Sequence, residues 1–335
     1  MRTAVTEYCA KIGRDSLLVQ GAGGNVSWKD GDTLWVKASG MWLADAKQKD
    51  IFVPVDLAHL CVAIASGNME VQPHALESNG LRPSIETLLH ALMPHRIVVH
   101  LHAIEALAHL VRSDYASKLT AIADENLRWA SVSYFKPGAE LARAVDHALK
   151  KSPGTDIVFL KSHGVVIGGD DVNEVHSRLR KITSLLQTSP YPLTGREAMP
   201  RPITTRSGLE YLPVPDPTVQ QLALNPALYE QLRSNWALYP DHLVFLGVEP
   251  FCQDSPEHLA RSSIPASESP ELVFVRDLGV FSCPSLGAGK LAQLRCYYDV
   301  LARQHEPEKV TSLTLKETAA LLDWDAEKYR MQLAK

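Results

Sequence analysis

Pro190, Pro192, Pro200, Pro202, Pro213, Pro215 and Pro217 punctuate one stretch so densely that no helix or inner strand is expected to run through it. Each proline fixes φ and removes a backbone donor. The stretch therefore divides the 335 residues. The expectation is a domain over 1–190, a Pro-rich linker or wrapping arm over 191–217, and a C-terminal α/β extension over 218–335.

Within the first part, helical and strand periodicities alternate. A helical pattern covers 3–19 and ends at the glycine-rich break Gly21-Ala22-Gly23-Gly24. Strands are expected at Thr33–Lys37, Ile51–Val55, Ile97–His102, Ser131–Phe135, Ile157–Lys161 and Val165–Ile167. Helices are expected at Leu57–Ala65, from Pro83-Ser84 to about Met93, Ala103–Arg112, after Pro137-Gly138 to about Lys150, and Val172–Leu186. Several connections are too short for parallel crossovers, which predicts a mixed or mainly antiparallel central sheet flanked by helices. Beyond the prolines, strands are expected at Leu243–Leu246, Leu272–Arg276 and Val280–Cys283, and helices near 286–304, 314–323 and 325–334. The fold class is α/β with a smaller C-terminal α/β extension.

Charge narrows the partners. Lys and Arg number 34 against 38 Asp and Glu, a formal net charge of −4, with no block of one sign to follow a nucleic-acid backbone or a membrane surface. Small molecules and other subunits are the expected partners. Residues 1–20 carry Arg2, Glu7, Lys11, Arg14 and Asp15, unlike the apolar core of a signal peptide, so a cytoplasmic protein is expected. Cys9, Cys61, Cys252, Cys283 and Cys296 are widely spaced and form no C-x-x-C pair, which predicts free thiols rather than a disulfide framework or a thiolate metal site.

Chemistry enters at Ile97-Val98-Val99-His100-Leu101-His102. In a strand, residues i and i+2 share a face, so both imidazoles can reach one point. Two polar rings on a buried face are unfavourable unless something ligates them. A third histidine, His163, follows the apolar run Ile157–Leu160 and precedes Gly164, which permits a tight turn beside the ligand. Three neutral imidazoles with an open fourth position suit a catalytic zinc site. His90, His95, His109 and His176 fall on helices or their ends and read as surface or partnered residues. Gly287-Ala288-Gly289-Lys290-Leu291 lacks the first Gly and the final Ser/Thr of a P-loop and is no nucleotide site.

Six segments together carry a family resemblance: Gly24-Asn25-Val26-Ser27, Lys37-Ala38-Ser39-Gly40, Arg82-Pro83-Ser84-Ile85-Glu86-Thr87, His100-Leu101-His102, Tyr134 to Gly138, and Lys161-Ser162-His163-Gly164. In order and approximate spacing they resemble the class II aldolase/adducin family, which includes the fuculose-phosphate and rhamnulose-phosphate aldolases. The run from Arg82 to Ala103 looks closest to the aldolase part of the long rhamnulose-phosphate aldolases fused to a dehydrogenase, and no dehydrogenase portion is expected here. The 287–291 region and Tyr239-Pro240-Asp241-His242 resemble the C-terminal extension of that branch.

The resemblance implies that His100, His102 and His163 bind Zn2+ or another divalent metal and that Glu86 is the catalytic acid/base. It implies that Asn25, Ser39, Gly40 and Ser84 hold a phosphate-bearing end of the substrate, although Ile85 stands where the fuculose-phosphate branch has a second Ser. Gly-rich turns and helix starts do present N–H groups to anions. The implied activity is cleavage or formation of a carbon–carbon bond in a sugar-like ketose, and the implied assembly is a homotetramer with sites near subunit interfaces. The same enediolate chemistry could serve an epimerase, a decarboxylase or a dehydratase. An adducin-like interaction protein is disfavoured because all three histidines and Glu86 are present.

Overall fold

The structure, a computed structural model, describes all residues except 78–79, 123–125, 196–198, 262, 264, 266–267, 323 and 326–335. The opening helix, α1 (Arg2–Ile12), is shorter than its periodicity predicts. At Gly13 the chain passes so close to the Leu43–Ala44 backbone that a Cβ there would lie 2.3 Å from Ala44 N. Through the glycine-rich break the chain enters β1 (Asn25–Asp30), β2 (Thr33–Lys37) and β3 (Phe52–Asp56), followed by α2 (Leu57–Ala65) and α3 (Thr87–Leu92). Next come β4 (Ile97–Leu101), α4 (Ile104–Leu110), α5 (Tyr115–Ile122), β5 (Trp129–Val132), α6 (Ala139–Lys151), β6 (Ile157–Leu160), β7 (Gly164–Gly169) and α7 (Val172–Leu185).

The seven strands order as β3-β2-β1-β4-β7-β6-β5. Every neighbouring pair is antiparallel except β5–β6, as the short connections require. Successive side chains of β4 point to opposite faces. Ile97, Val99 and Leu101 join the apolar layer under α1, α4 and α7, while Val98 packs with Leu89, Met93 and Leu141 under α3 and α6. His100 shares that second face with Val98.

The remaining chain forms β8 (Ile203–Thr204), β9 (Glu210–Pro213), α8 (Gln221–Leu224), α9 (Pro226–Ser234), α10 (Pro240–Leu246), β10 (Cys252–Gln253), α11 (Pro256–Ala260), β11 (Leu272–Val275), β12 (Gly279–Ser282), α12 (Ala288–Leu301) and α13 (Leu315–Leu322). Its five strands order as β10-β11-β12-β9-β8. Thus the proline-rich stretch 191–217 carries two strands of a second sheet. The strand expected at Leu243–Leu246 is instead helical. Pro240 stands at the first turn of α10 behind the extended residue Tyr239, where its fixed φ starts a helix without losing a hydrogen bond. The helix expected over 325–334 falls, beyond Asp325, outside the described residues.

The two halves share an apolar cluster. Ile104, Leu107 and Val111 on and beside α4 pack with Leu243 of α10 and with Leu294, Tyr297 and Leu301 of α12. Cys9 and Cys296 are buried, Cys61 is exposed and all five cysteines are free. Among the described residues no helix is long and apolar enough to cross a membrane.

Candidate metal centre

His100 and His102 leave the end of β4, and His163 sits in the three-residue turn joining β6 to β7. The antiparallel pairing of β4 with β7, Leu101 opposite Val165, brings these ends together. One ring nitrogen from each of His100, His102 and His163 lies within 4.8 Å of the others, and all three residues are buried. The turn is tight. Ser162 takes a left-handed φ of 49°. At Gly164 a Cβ would meet Leu101 O at 2.4 Å and the His100 and His102 rings at 3.2 Å, so glycine is needed there for close approach.

Glu86 is brought in from above by the α3 segment. Its position differs from the sequence expectation, because it is the residue before the helix rather than within the first turn. Pro83 pairs as a bridge with Ala38, and Ser39 N donates to Arg82 O at 2.9 Å. That holds 82–83 extended and delays the helix to Thr87. Ser84 Oγ accepts from Glu86 N at 3.2 Å, and Thr87 Oγ1 donates to Ser84 O at 2.6 Å. The carboxylate then stands 3.5 Å from His100 Nε2 and 3.3 Å from His163 Nε2. Glu86 Oε2 also accepts from Asn25 Nδ2 at 2.8 Å.

Two unpaired atoms of this cluster have a common character. His100 Nδ1 lies 3.2 Å from Val165 O, which as a carbonyl can only accept, so Nδ1 carries the proton and Nε2 a lone pair. That buried Nε2 and Glu86 Oε1 make no hydrogen bond among the described residues. Burial pushes the His100 and His163 imidazoles down, His163 to about 3, against the pull of Glu86. Both rings are therefore neutral near pH 7, the ligand form. Burial pushes the Glu86 carboxyl up, but the imidazoles of His100, His163, His102 and His90 draw it lower, to about 2. Lone pairs on neutral imidazoles converging beside an ionised carboxylate fit a divalent cation.

The residues expected at the anion end line the same pocket. Asn25, Ser39, Gly40, Ser84 and Ile85 surround it together with Glu86, His102 and His163. Gly40 has a left-handed φ of 77°. Sequence reasoning missed three other residues. Lys37, at the end of β2, lines the pocket while its Nζ donates to Ala22 O at 3.0 Å and Met41 O at 2.6 Å. The signal available was its place in the Lys37–Gly40 segment, at a strand end beside the expected anion loop. Pro240 and Asp241 also line the pocket, from α10. His90 is fully buried on α3, close to Ser27 Oγ at 2.8 Å. His95, in the turn between α3 and β4, pairs with Asp156, His109 of α4 with Leu186 O, and His176 of α7 lies edge-on to Tyr8.

The Class II Aldolase and Adducin N-terminal domain family matches residues 3–189. The chain belongs to this family. It is 26% identical over 227 residues to the uncharacterized oxidoreductase YuxG of Bacillus subtilis (strain 168), a match covering 63% of this chain and 32% of that protein. It therefore spans about a third of that relative. An L-fuculose phosphate aldolase of Methanococcus maripaludis is 27% identical over 180 residues, covering 52% of this chain and 87% of that enzyme. The solved N-terminal class II aldolase domain of a conserved protein from Thermoplasma acidophilum is 26% identical, covering 55% of this chain and 90% of that chain, with a TM-score of 0.46.

Proposed function

We infer that this chain is a zinc-dependent aldehyde-lyase that cleaves or forms a carbon–carbon bond in a sugar-like ketose, phosphorylated at one end. The single observation that carries the reading is the convergence of three buried imidazoles on one ionised carboxylate, in a pocket whose far wall is turns and strand ends. When bound, a divalent cation would supply Lewis-acid stabilisation for the negative charge that cleavage leaves on the carbonyl-bearing fragment of the ketose. His100, His102 and His163 would hold it. Glu86 carries a proton to and from substrate carbon, with Asn25 orienting its carboxylate. Ser39, Gly40 and Ser84 bind the anionic end, and the Lys37 ammonium adds positive charge on that side.

Residues 1–190 form the catalytic domain, 191–217 an arm that supplies two strands of the second sheet, and 218–335 the extension. The assembly is a homotetramer, as the family resemblance implies, and the location is cytoplasmic. The name of the Methanococcus relative supports a sugar-phosphate substrate. The experiment is metal analysis of the purified protein together with a screen of ketose phosphates for release of dihydroxyacetone phosphate or a free aldehyde. The expected result is one zinc per chain, lost with activity in His163→Ala. Full metal content and turnover in that variant would overturn the assignment.

A further inference from the structure

Among the residues lining the pocket, Asp241 belongs to neither the ligand set nor the anion end, and it comes from the second half of the chain. It is 3% exposed, and its Oδ2 lies 3.3 Å from His102 Nδ1. The two groups are held face to face by what surrounds them. Gly23 lies beside both atoms, and a Cβ there would be 3.1 Å from Asp241 Oδ2 and 3.1 Å from His102 Nδ1. Gln293 of α12 donates to Asp241 Oδ2 at 3.4 Å and to Gln20 O at 3.3 Å. Gln20 Nε2 in turn lies 3.4 Å from His102 O. Gln20 and Gln293 are both buried. Hydrogen bonds thus run from His102 O through Gln20 and Gln293 to Asp241, joining the end of β4 to α10 and α12, and His102 Nδ1, which makes no hydrogen bond among the described residues, faces the Asp241 carboxylate.

The orientation of the His102 ring gives this contact a consequence. Its Nδ1 side faces Gly23 and Asp241, and its Cδ2 edge faces the position of Gly164, beside the His100 ring. Nε2 adjoins Cδ2, so a cation shared with His100 and His163 would take Nε2, which requires the proton to sit on Nδ1. His100 has a backbone carbonyl for the same purpose, Val165 O. For His102, Asp241 is the acceptor at hand. A carboxylate on the far nitrogen fixes the tautomer and raises the basicity of a metal-binding histidine.

We propose that Asp241 is a positioning residue for the metal centre, supplied by the C-terminal extension to hold His102 in its ligating tautomer. The inference rests on the metal reading given above. It assigns the extension a role in the site itself. Packing supports that role, since the apolar cluster that binds α10 and α12 also includes Ile104, two residues after His102.

The test uses the full chain stripped of metal and reloaded with zinc or cobalt(II). Affinity is read by competition with a chromogenic chelator, coordination by the visible absorption of the cobalt form, and folding by circular dichroism. Asp241→Ala is expected to weaken binding about 10–100-fold and to change the cobalt spectrum. Asp241→Asn keeps an acceptor oxygen without the charge and should recover part of the loss. It also decides the matter if Asp241→Ala does not fold. Gly23→Ala, which intrudes on the contact from the other side, should move affinity in the same direction. If wild-type protein binds metal and folded Asp241→Asn and Asp241→Ala match its affinity and spectrum, the positioning role is overturned while the metal reading stands. If wild-type protein binds neither ion, both are overturned.

Discussion

Asn25 sits directly across the β1–β4 pair from His100, and its side-chain amide donates to Glu86 Oε2 at 2.8 Å. A residue expected at the anion end thus also holds the carboxylate. Hydrogen bonds to a charged group contribute about 1.5–3 kcal/mol. Asn25→Ala should therefore lower kcat/KM about tenfold or more for phosphorylated and unphosphorylated ketoses alike, with metal content unchanged. Steady-state kinetics on both substrates checks this, because a loss confined to the phosphorylated sugar would place Asn25 at the anion only.

Glu86→Gln preserves the shape of the carboxylate and its contact with Asn25 while removing the capacity to take up a proton. Cleavage should fall by about 10² or more, the scale of a general acid/base, and zinc should remain bound. Single-turnover kinetics beside metal analysis separates the two effects. Turnover near the wild-type rate would remove Glu86 from proton transfer.

Ser39→Ala and Ser84→Ala should part company. Ser84 Oγ accepts from the Glu86 backbone N–H, so its loss disturbs the carboxylate as well as the anion end and should slow both classes of substrate. Ser39→Ala should raise KM for a phosphorylated ketose about tenfold and leave its unphosphorylated counterpart nearly unaffected. Equal losses for Ser39→Ala would remove it from anion binding.

Gly164→Ala places a methyl 2.4 Å from Leu101 O and 3.2 Å from the His100 and His102 rings. The backbone must move, at a cost of about 1–3 kcal/mol for overpacking, and the histidine spacing moves with it. Lower Tm together with weakened zinc binding is expected. Gly208→Ala provides the comparison: its left-handed φ of 85° should lower Tm by backbone strain as well, but nothing lies within 4 Å of its added Cβ and metal binding should stay intact.

His242 gives a pH dependence away from His100, His102 and His163. Burial alone pushes its imidazole down to about 3, with its ring packed 4.4 Å from Trp236 and 4.3 Å from Tyr297. The unfolded chain takes up that proton near about 6.5, so the folded state is favoured above that value and loses stability as pH falls toward 3. The slope for one proton is about 1.4 kcal/mol per pH unit. Denaturant melts from pH 7 to pH 4 should show His242→Phe with a shallower fall by about that amount. An unchanged slope would mean that the ring is charged in the folded protein.

The site was legible where chemistry is dense in sequence. His100 and His102 announce themselves by two-residue spacing in an apolar run, and His163 by its place after a second one. β1 escaped because Asn25, Lys29 and Asp30 give it the look of a turn, although its first four residues are buried; pairing with β2 and β4 outweighs local propensity. The apolar run of α10 reads equally as strand or helix, and its start depends on Pro240. Lys37 and Asp241 could not be placed because their role depends on which distant groups they meet. Lys37 reaches Ala22 and Met41 carbonyls, and Asp241 reaches a ring 139 positions earlier in the chain (241 − 102).

The position of β4 in the middle of the seven-stranded sheet has a consequence for fidelity of folding. Its first three residues, Ile97, Val98 and Val99, are all apolar, so burial alone scarcely distinguishes the native alignment from one shifted by a single residue. Such a shift turns every side chain of a strand to the opposite face. It would thrust His100 and His102 into the apolar layer with Val26 and Trp28 and offer Val99 and Leu101 to Glu86. The two imidazoles thus act as alignment marks, and the fraction of refolded molecules able to take up zinc should count those in which the sheet has paired correctly.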